Sequence, residues 1–194
     1  VKGCIVGGTF TAAAIDKTNP ALIAHGYKAE EENGVFVVRK PQSLIDFENA
    51  IANGGNIQLT DDITLIEALN VPAGKEVVLD LNGKTLTADL SGYVLNNEEG
   101  GSLTISNGTI TGVVYTGENS NTTINSGTFN AFEGGQYVFL NSSGTLTING
   151  GTINGGTSYP VYSYNSGSKL VINDATVNAT FGCINSYGTG AEVE

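Results

Sequence analysis

Hydrophobic and polar residues alternate in short runs along most of this chain, and one six-residue pattern recurs. It consists of an apolar residue, three residues that are mostly small or polar, a threonine and a second apolar residue. The six copies are Ile5–Phe10, Leu81–Leu86, Ile105–Ile110, Ile124–Phe129, Ile148–Ile153 and Ile172–Val177. The last five copies begin at steps of 24, 19, 24 and 24 residues, and Ile57 lies another 24 residues upstream of Leu81. This spacing indicates a solenoid, in which each repeat buries its apolar face only against its neighbours.

A second apolar run follows each of the last five copies, and four of these runs end in asparagine. If the coils stack in register, these asparagines align about 4.8 Å apart and hydrogen-bond to one another in a buried column. The four asparagines are Asn96, Asn141, Asn165 and Asn185. The threonines of the repeats predict a second column, formed by Thr85, Thr109, Thr128, Thr152 and Thr176. Two or three strands per coil, all entering in the same direction, predict parallel sheets wound into a β-helix.

Composition supports many short strands and argues against several partners. The chain has 194 residues, of which 40% are hydrophobic and 14% charged, so it is not a disordered composition. A net charge of −11 argues against a nucleic-acid partner, because phosphate binding needs clustered lysine and arginine. No apolar run of 18 residues occurs, so no membrane insertion is expected. Because the chain starts at Val1 without methionine, we expect a mature or excised segment.

Two segments upstream of the repeats carry a resemblance to a known fold. Residues 43–55 read as an amphipathic helix with Ser43 as N-cap, Gly54 as its stop and an apolar face of Leu44, Phe47 and Ile51. Residues 57–86 look like two opening coils. With the later repeats, these segments resemble right-handed parallel β-helix proteins of the pectate-lyase-like superfamily. The sequence resembles still more closely the non-catalytic β-helix modules of gut-bacterial surface proteins and phage fibres.

The resemblance extends to a segment in an unexpected place. Residues 7–38 look like the terminator of that family, a last strand, a short helix and a hairpin, with a type I′ turn at Asn33–Gly34. A terminator should follow the last coil, yet here it precedes the helix. We therefore divide the chain into a terminator-like segment (1–40), a cap helix (41–55) and the β-helix (56–194). The predicted fold class is all-β, a single-stranded parallel β-helix solenoid of about six to seven coils.

The two ends of the chain read as parts of one interrupted strand. Joined tail to head, they form an alternating strand that leads into the first repeat, 27 residues after Ile172. Three explanations fit: one period of a tandem array, separate chains stacked head to tail, or residues 1–10 folded back onto their own last coil. The residues predicted to take part in assembly are Val1, Lys2, Cys4, Ile5, Cys183, Ala191, Glu192, Val193 and Glu194. We expect Cys4 and Cys183 to be buried, and a disulfide between chains is an alternative.

Catalytic chemistry has few candidates in this sequence. The lone arginine, Arg39, and the lone histidine, His25, both lie in the terminator-like segment. Glu98, Glu99 and Glu118 follow successive coils and form the best candidate for a Ca²⁺ site, although exposed acidic turns are the simpler interpretation. We expect no enzyme activity and no cofactor.

Tyrosines recur in the second apolar runs and suggest a glycan-binding surface, for which Tyr137, Tyr162 and Tyr164 are the candidates. Counted back from the shared asparagine, however, Tyr137 and Tyr162 should point to different faces. The sequence therefore predicts first a non-enzymatic structural module of an extracellular assembly, a surface filament or stalk or a phage fibre. It would join copies of itself or adjacent repeats of one polypeptide. A surface adhesin that binds glycans is the alternative, and a polysaccharide-degrading enzyme the third.

Overall fold

The computed structural model describes residues 3–11, 22–24, 26–88, 92–98, 100–187 and 192–193. A three-stranded antiparallel sheet comes first, with β1 (Gly8–Thr11), β2 (Lys28–Glu32) and β3 (Val35–Arg39) in the order β1-β3-β2. The turn between β2 and β3 places Asn33 at φ 51° and Gly34 at φ 81°. Two successive positive φ angles define the type I′ turn, so the predicted hairpin is confirmed.

One helix, α1 (Gln42–Asn53), follows this sheet in the described part of the chain. Its residues Leu44, Phe47 and Ile51 are buried as predicted, and they pack over the first coil. The end is also as predicted, because the N–H of Gly54 donates to the carbonyl of Ala50. The N-cap prediction was wrong: Pro41, not Ser43, occupies that position, since the fixed φ of proline lets the helix begin at the next residue.

The coils after α1 each contribute one strand to each of three parallel sheets. The strands of the first three coils are β4 (Gly55–Gln58), β5 (Ile63–Leu65), β6 (Leu69–Val71), β7 (Glu76–Asp80), β8 (Thr85–Ala88), β9 (Tyr93–Asn97), β10 (Ser102–Ser106), β11 (Thr109–Thr111) and β12 (Val113–Thr116). Those that follow are β13 (Asn121–Ile124), β14 (Thr128–Asn130), β15 (Phe139–Ser142), β16 (Thr145–Ile148), β17 (Thr152–Asn154), β18 (Val161–Tyr164), β19 (Lys169–Ile172), β20 (Thr176–Asn178), β21 (Ile184–Tyr187) and β22 (Glu192–Val193).

These strands form a parallel β-solenoid, which confirms the predicted fold class. The first sheet runs from β4 to β22 and has seven strands, whereas the second (β5 to β20) and third (β6 to β21) have six each. From β5 to β20 the chain makes about five turns, slightly fewer than the six to seven coils expected. Strand β22 begins a further coil on the first sheet.

Columns of apolar side chains fill the solenoid. In the second sheet Leu86, Ile110, Phe129 and Ile153 pair in sequence and are fully buried. The predicted threonine column from Thr85 to Thr176 is confirmed beside them. Register is specified by this buried face, because a slip of one residue would turn it outward.

Two predicted alignments were wrong. As the first residues of successive copies, Leu81 and Ile105 were expected to pair, but Leu79 pairs with Ile105 instead. The threonines still align, because five residues separate Leu79 from Thr85 whereas three separate Ile105 from Thr109. The single asparagine column does not form either. The pairings of the third sheet follow its apolar residues Leu69, Leu95, Val114, Phe139, Val161 and Ile184.

The four asparagines therefore occupy different environments. Asn96 pairs with Tyr115, Asn185 with Tyr162, and Asn165 follows the end of β18. Only Asn141 is buried; its Nδ2 donates to Ser163 Oγ at 3.0 Å and to the Lys169 carbonyl at 2.9 Å. It belongs to an inward polar column that continues in Asn97, Thr116 and Ser163.

Candidate functional site

The two ends of the solenoid differ in how their apolar residues are covered. Helix α1 closes the end formed by the first coil, where Phe47 is 3% and Ile51 1% exposed. At the other end, Ile184 is 38% exposed, although Val161, its partner one coil earlier, is fully buried. We call the last-coil residues Val177, Phe181 and Ile184 the open end.

Phe181 is the most exposed residue of the open end, with 73% of its surface accessible. Its ring meets only the edge of Tyr159 among the aromatic contacts of the described residues, at a centroid distance of 5.4 Å. Val177, at the end of the buried column of the second sheet, is partly exposed as well. In the second and third sheets, the last coil thus continues the apolar columns of the interior, and no described strand lies beyond it.

The residues predicted to take part in assembly are divided between the two ends. Ile5 forms a bridge with Ile23 and packs against the cluster of Phe36 and Val38. Glu192 and Val193 form β22, which pairs with β19 as the outermost strand of the first sheet. Val1, Lys2, Ala191 and Glu194 lie outside the described residues.

The burial predicted for both cysteines was wrong. Cys4 and Cys183 are exposed free thiols. Cys183 lies in the irregular segment before β21 rather than on an inward position of a strand, and its Sγ is 3.9 Å from the Val177 carbonyl at the open end. The fold-back explanation is also contradicted, because β1 pairs with β3 and not with the last coil.

The tyrosines gather on one outward face of the third sheet, contrary to the prediction that they would diverge. The rings of Tyr137 and Tyr162 stack at 5.1 Å, and those of Tyr162 and Tyr164 stack at 5.4 Å. Tyr137 precedes β15, so the alternation of side chains along a strand does not apply to it. We call Tyr93, Tyr115, Tyr137, Tyr162 and Tyr164 the tyrosine face.

The tyrosine face is partly buried along its length. Burial raises the pKa of Tyr93 above its ordinary value of about 10, and the nearby phenols of Tyr164, Tyr115 and Tyr137 raise it further. Tyr93 is therefore neutral at physiological pH. The face offers aromatic rings together with phenolic hydroxyl groups that donate and accept hydrogen bonds.

The acidic turns do not form a metal-binding group among the described residues. Glu98 follows β9 and Glu118 follows β12, and both side chains are exposed. Glu99 lies outside the described residues, as does His25. Within the part of the chain that the structure describes, no three His, Cys, Asp or Glu side chains come together as potential metal ligands.

A carboxylate that sequence reasoning missed connects three coils. Asp80 Oδ1 accepts from the backbone N–H of Asn82 at 2.9 Å and from Asn107 Nδ2 at 3.2 Å, and Oδ2 accepts from Gln58 Nε2 at 3.1 Å. The Asn82 N–H, then Gln58 and Asn107, lower the pKa of Asp80 below its ordinary value. No repeat of residue type reveals this cluster, because Gln58 and Asp80 end strands β4 and β7 whereas Asn82 and Asn107 lie after strands β7 and β10.

A cavity of about 610 Å³ lies between the N-terminal sheet, α1 and the first coil. Ile23, Tyr27, Leu44, Asp62 and Ile63 are among the residues that line it. Gly26 lies directly against Ile66, and Lys40 Nζ is 2.7 Å from Glu48 Oε1 of α1. These contacts place the N-terminal sheet at the capped end, opposite the open end.

Comparison with family models finds no match, and neither curated proteins nor solved structures yield one. Among the described residues, no helix is long and apolar enough to cross a membrane. The parallel β-solenoid class thus comes from the structure alone, and the assignment to a superfamily stays a resemblance.

Proposed function

We propose that this chain is a non-enzymatic structural module that assembles end to end in an extracellular or virion filament, stalk or fibre. Its partners are further copies of itself or adjacent repeats of one polypeptide. The observation that carries the proposal is the open end, where Phe181 and Ile184 are exposed in positions that further stacking would cover. Apolar residues at a sheet end with unpaired strands favour association with another chain. The extracellular setting rests on the sequence resemblance.

The test is the length of the particles formed by the purified chain across a concentration series, by light scattering and negative-stain electron microscopy. Seven strand spacings correspond to roughly 34 Å. We expect rods that lengthen with concentration in steps of about this size, plus the thickness of the N-terminal sheet and α1. Single short rods at every concentration would contradict self-assembly of the free chain.

The tyrosine face supports a second candidate function, the binding of neutral glycans. Three stacked rings on one outward surface combine apolar contact area with hydroxyl groups, which suits sugar rings. Glycan-array binding should fall when Tyr162, which contacts both neighbouring rings, is replaced by alanine. Tyr159→Ala is the matched control, because the Tyr159 ring contacts Phe181 and none of the three stacked tyrosines among the described residues. Equal binding by wild type and Tyr162→Ala, or no binding at all, would remove this candidate.

A further inference from the structure

The first six-residue repeat lies outside the stack to which the other five belong. Each of those five contributes a strand of the second sheet that begins at its threonine, from β8 to β20. The repeat at Ile5–Phe10 forms β1 instead, at the edge of the N-terminal sheet. At one position its backbone matches that of two of them, because Gly8 before the threonine has φ 121°, close to Gly127 at 125° and Gly151 at 110°. Such angles favour glycine.

The second sheet ends at β20, one strand earlier than the first sheet. Strand β22 already extends the first sheet, so the coil that it begins has no second-sheet strand among the described residues. Asn178 donates from Nδ2 to Asn154 Oδ1 at 2.8 Å, while its own Oδ1 has no donor within the same described residues. The outer edge of β20 can therefore pair with the strand of one more repeat.

Resting on the proposed end-to-end assembly, we propose that β1 of one chain pairs in parallel with β20 of a second copy. The register aligns Thr9 with Thr176, Phe10 with Val177 and Thr11 with Asn178. The threonine column then gains a member, and Phe10 covers the partly exposed Val177. The Thr11 hydroxyl donates to Asn178 Oδ1. Because β1 is an edge strand, it keeps its pairing with β3, and the two sheets become one continuous mixed sheet.

This pairing joins different chains and not the two ends of one chain. Only Lys40 and Pro41 separate β3 from α1, and such a link spans roughly 10 Å at most. The five strand spacings from β5 to β20 amount to about 24 Å, and α1 lies beyond the first coil. A β1 that stays paired with β3 therefore cannot reach β20 of its own solenoid. Contact between unlike ends does not close on itself, so it produces a filament.

Engineered disulfides test the register directly. In a Cys4→Ser, Cys183→Ser background, Thr9→Cys and Thr176→Cys would lie about 4.8 Å apart at Cα between chains, within the range for a disulfide. The matched control combines Thr9→Cys with Thr152→Cys, one coil deeper and about 10 Å away. After mild oxidation, non-reducing gels should show bands at multiples of the monomer mass for the first pair, at least tenfold more abundant than for the control.

The outcomes separate this proposal from the one on which it rests. Long rods without the specific cross-link would overturn the β1–β20 pairing and leave end-to-end assembly standing, whereas the absence of rods would overturn both. A measurement without substitutions complements the gels. In the wild-type chain, amide hydrogen exchange in residues 8–11 and 176–178 should slow as concentration rises. Unchanged exchange in assembled rods would contradict the pairing.

Discussion

Asparagine side chains form hydrogen-bonded ladders between successive coils. Asn149 Nδ2 donates to Asn125 Oδ1 at 3.0 Å, and Asn173 Nδ2 to Asn149 Oδ1 at 2.8 Å. A second ladder runs through Asn130, Asn154 and Asn178. In each ladder the amide of one asparagine donates to the side-chain oxygen of the asparagine one coil earlier, so the ladders connect successive coils. The first ladder is formed by the second residue of the last three repeats, and the second ladder by the third residue of the last three second-sheet strands.

Asp80 should make stability depend on pH in the acidic range. Its pKa is lowered in the folded state, mainly by the Asn82 N–H and then by Gln58 and Asn107. Its stabilising contribution is therefore present above the unfolded-state pKa of about 3.9 and is lost as pH falls through the lower folded-state value. We expect Asp80→Asn to flatten the decline in the free energy of unfolding below pH 4, measured by urea denaturation.

The control for this prediction is Glu67→Gln, which changes an exposed carboxylate in the neighbouring coil. It should leave the acidic decline as in the wild-type chain. An Asp80→Asn variant with the same decline as wild type would show that the hydrogen bonds of Asp80 contribute nothing.

The strands are two to five residues long in the coils and depend on one another for stability. Each buries its inward residues against the strands before and after it, as Phe129 does between Ile110 and Ile153. The Phe129 ring also contacts Phe139 of the third sheet, with centroids 5.0 Å apart. Neighbouring coils and facing sheets thus share one apolar core, which no single coil could form by itself.

Truncating an interior aromatic residue should cost far more than truncating one at the open end. Phe129→Ala leaves a cavity in a fully buried column, and we expect a loss of about 3–5 kcal/mol in the free energy of unfolding. Phe181→Ala, at an exposed position, should change it by less than about 0.5 kcal/mol. Chemical denaturation of both variants makes the comparison. Similar losses for the two would contradict the arrangement of the core.

The two ends of the molecule differ in structure. Helix α1 and the N-terminal sheet lie at one end. At the other end β20 and β21 have no strand beyond them among the described residues, and Phe181 and Ile184 are exposed. A net charge of −11 opposes the approach of a second copy at low ionic strength, since like charges repel. The proposed assembly would therefore balance apolar burial at the open end against repulsion over the whole surface.

Removing the apolar character of the open end should reduce assembly without unfolding the chain. The double variant Phe181→Asn, Ile184→Asn should give shorter rods than wild type at the same concentration, while its far-ultraviolet circular dichroism stays the same. Raising salt from 0.05 to about 0.2 M should lengthen wild-type rods, because it screens the repulsion. Thr147→Asn, on the outer face of β16 in the middle of the solenoid, serves as the control. Rods of wild-type length from the double variant would exclude the open end as the interface.

Local sequence patterns alone were sufficient to predict the buried face of the helix and the hairpin turn. The helix face of Leu44, Phe47 and Ile51 and the Asn33–Gly34 turn needed only 3.6-residue periodicity and turn chemistry. The threonine column followed from the near-constant spacing between repeats. The third sheet could not be aligned in the same way, because its runs differ in length and its register follows the buried column through Val114 and Phe139. The asparagine column and the divergence of Tyr137 and Tyr162 failed for this reason.

The sequence by itself determined the period, the parallel stacking of the coils and the helix over the first coil, because a repeated apolar spacing has few ways to bury itself. Only the tertiary structure decided that the tyrosines share a face, that Cys4 and Cys183 are exposed, and that β1 lies outside the stack. Each of these depends on which strands meet, and such pairings are made between residues distant in the chain. The open end likewise depends on the tertiary structure, because Ile184 is exposed whereas Val161, its partner one coil earlier, is buried.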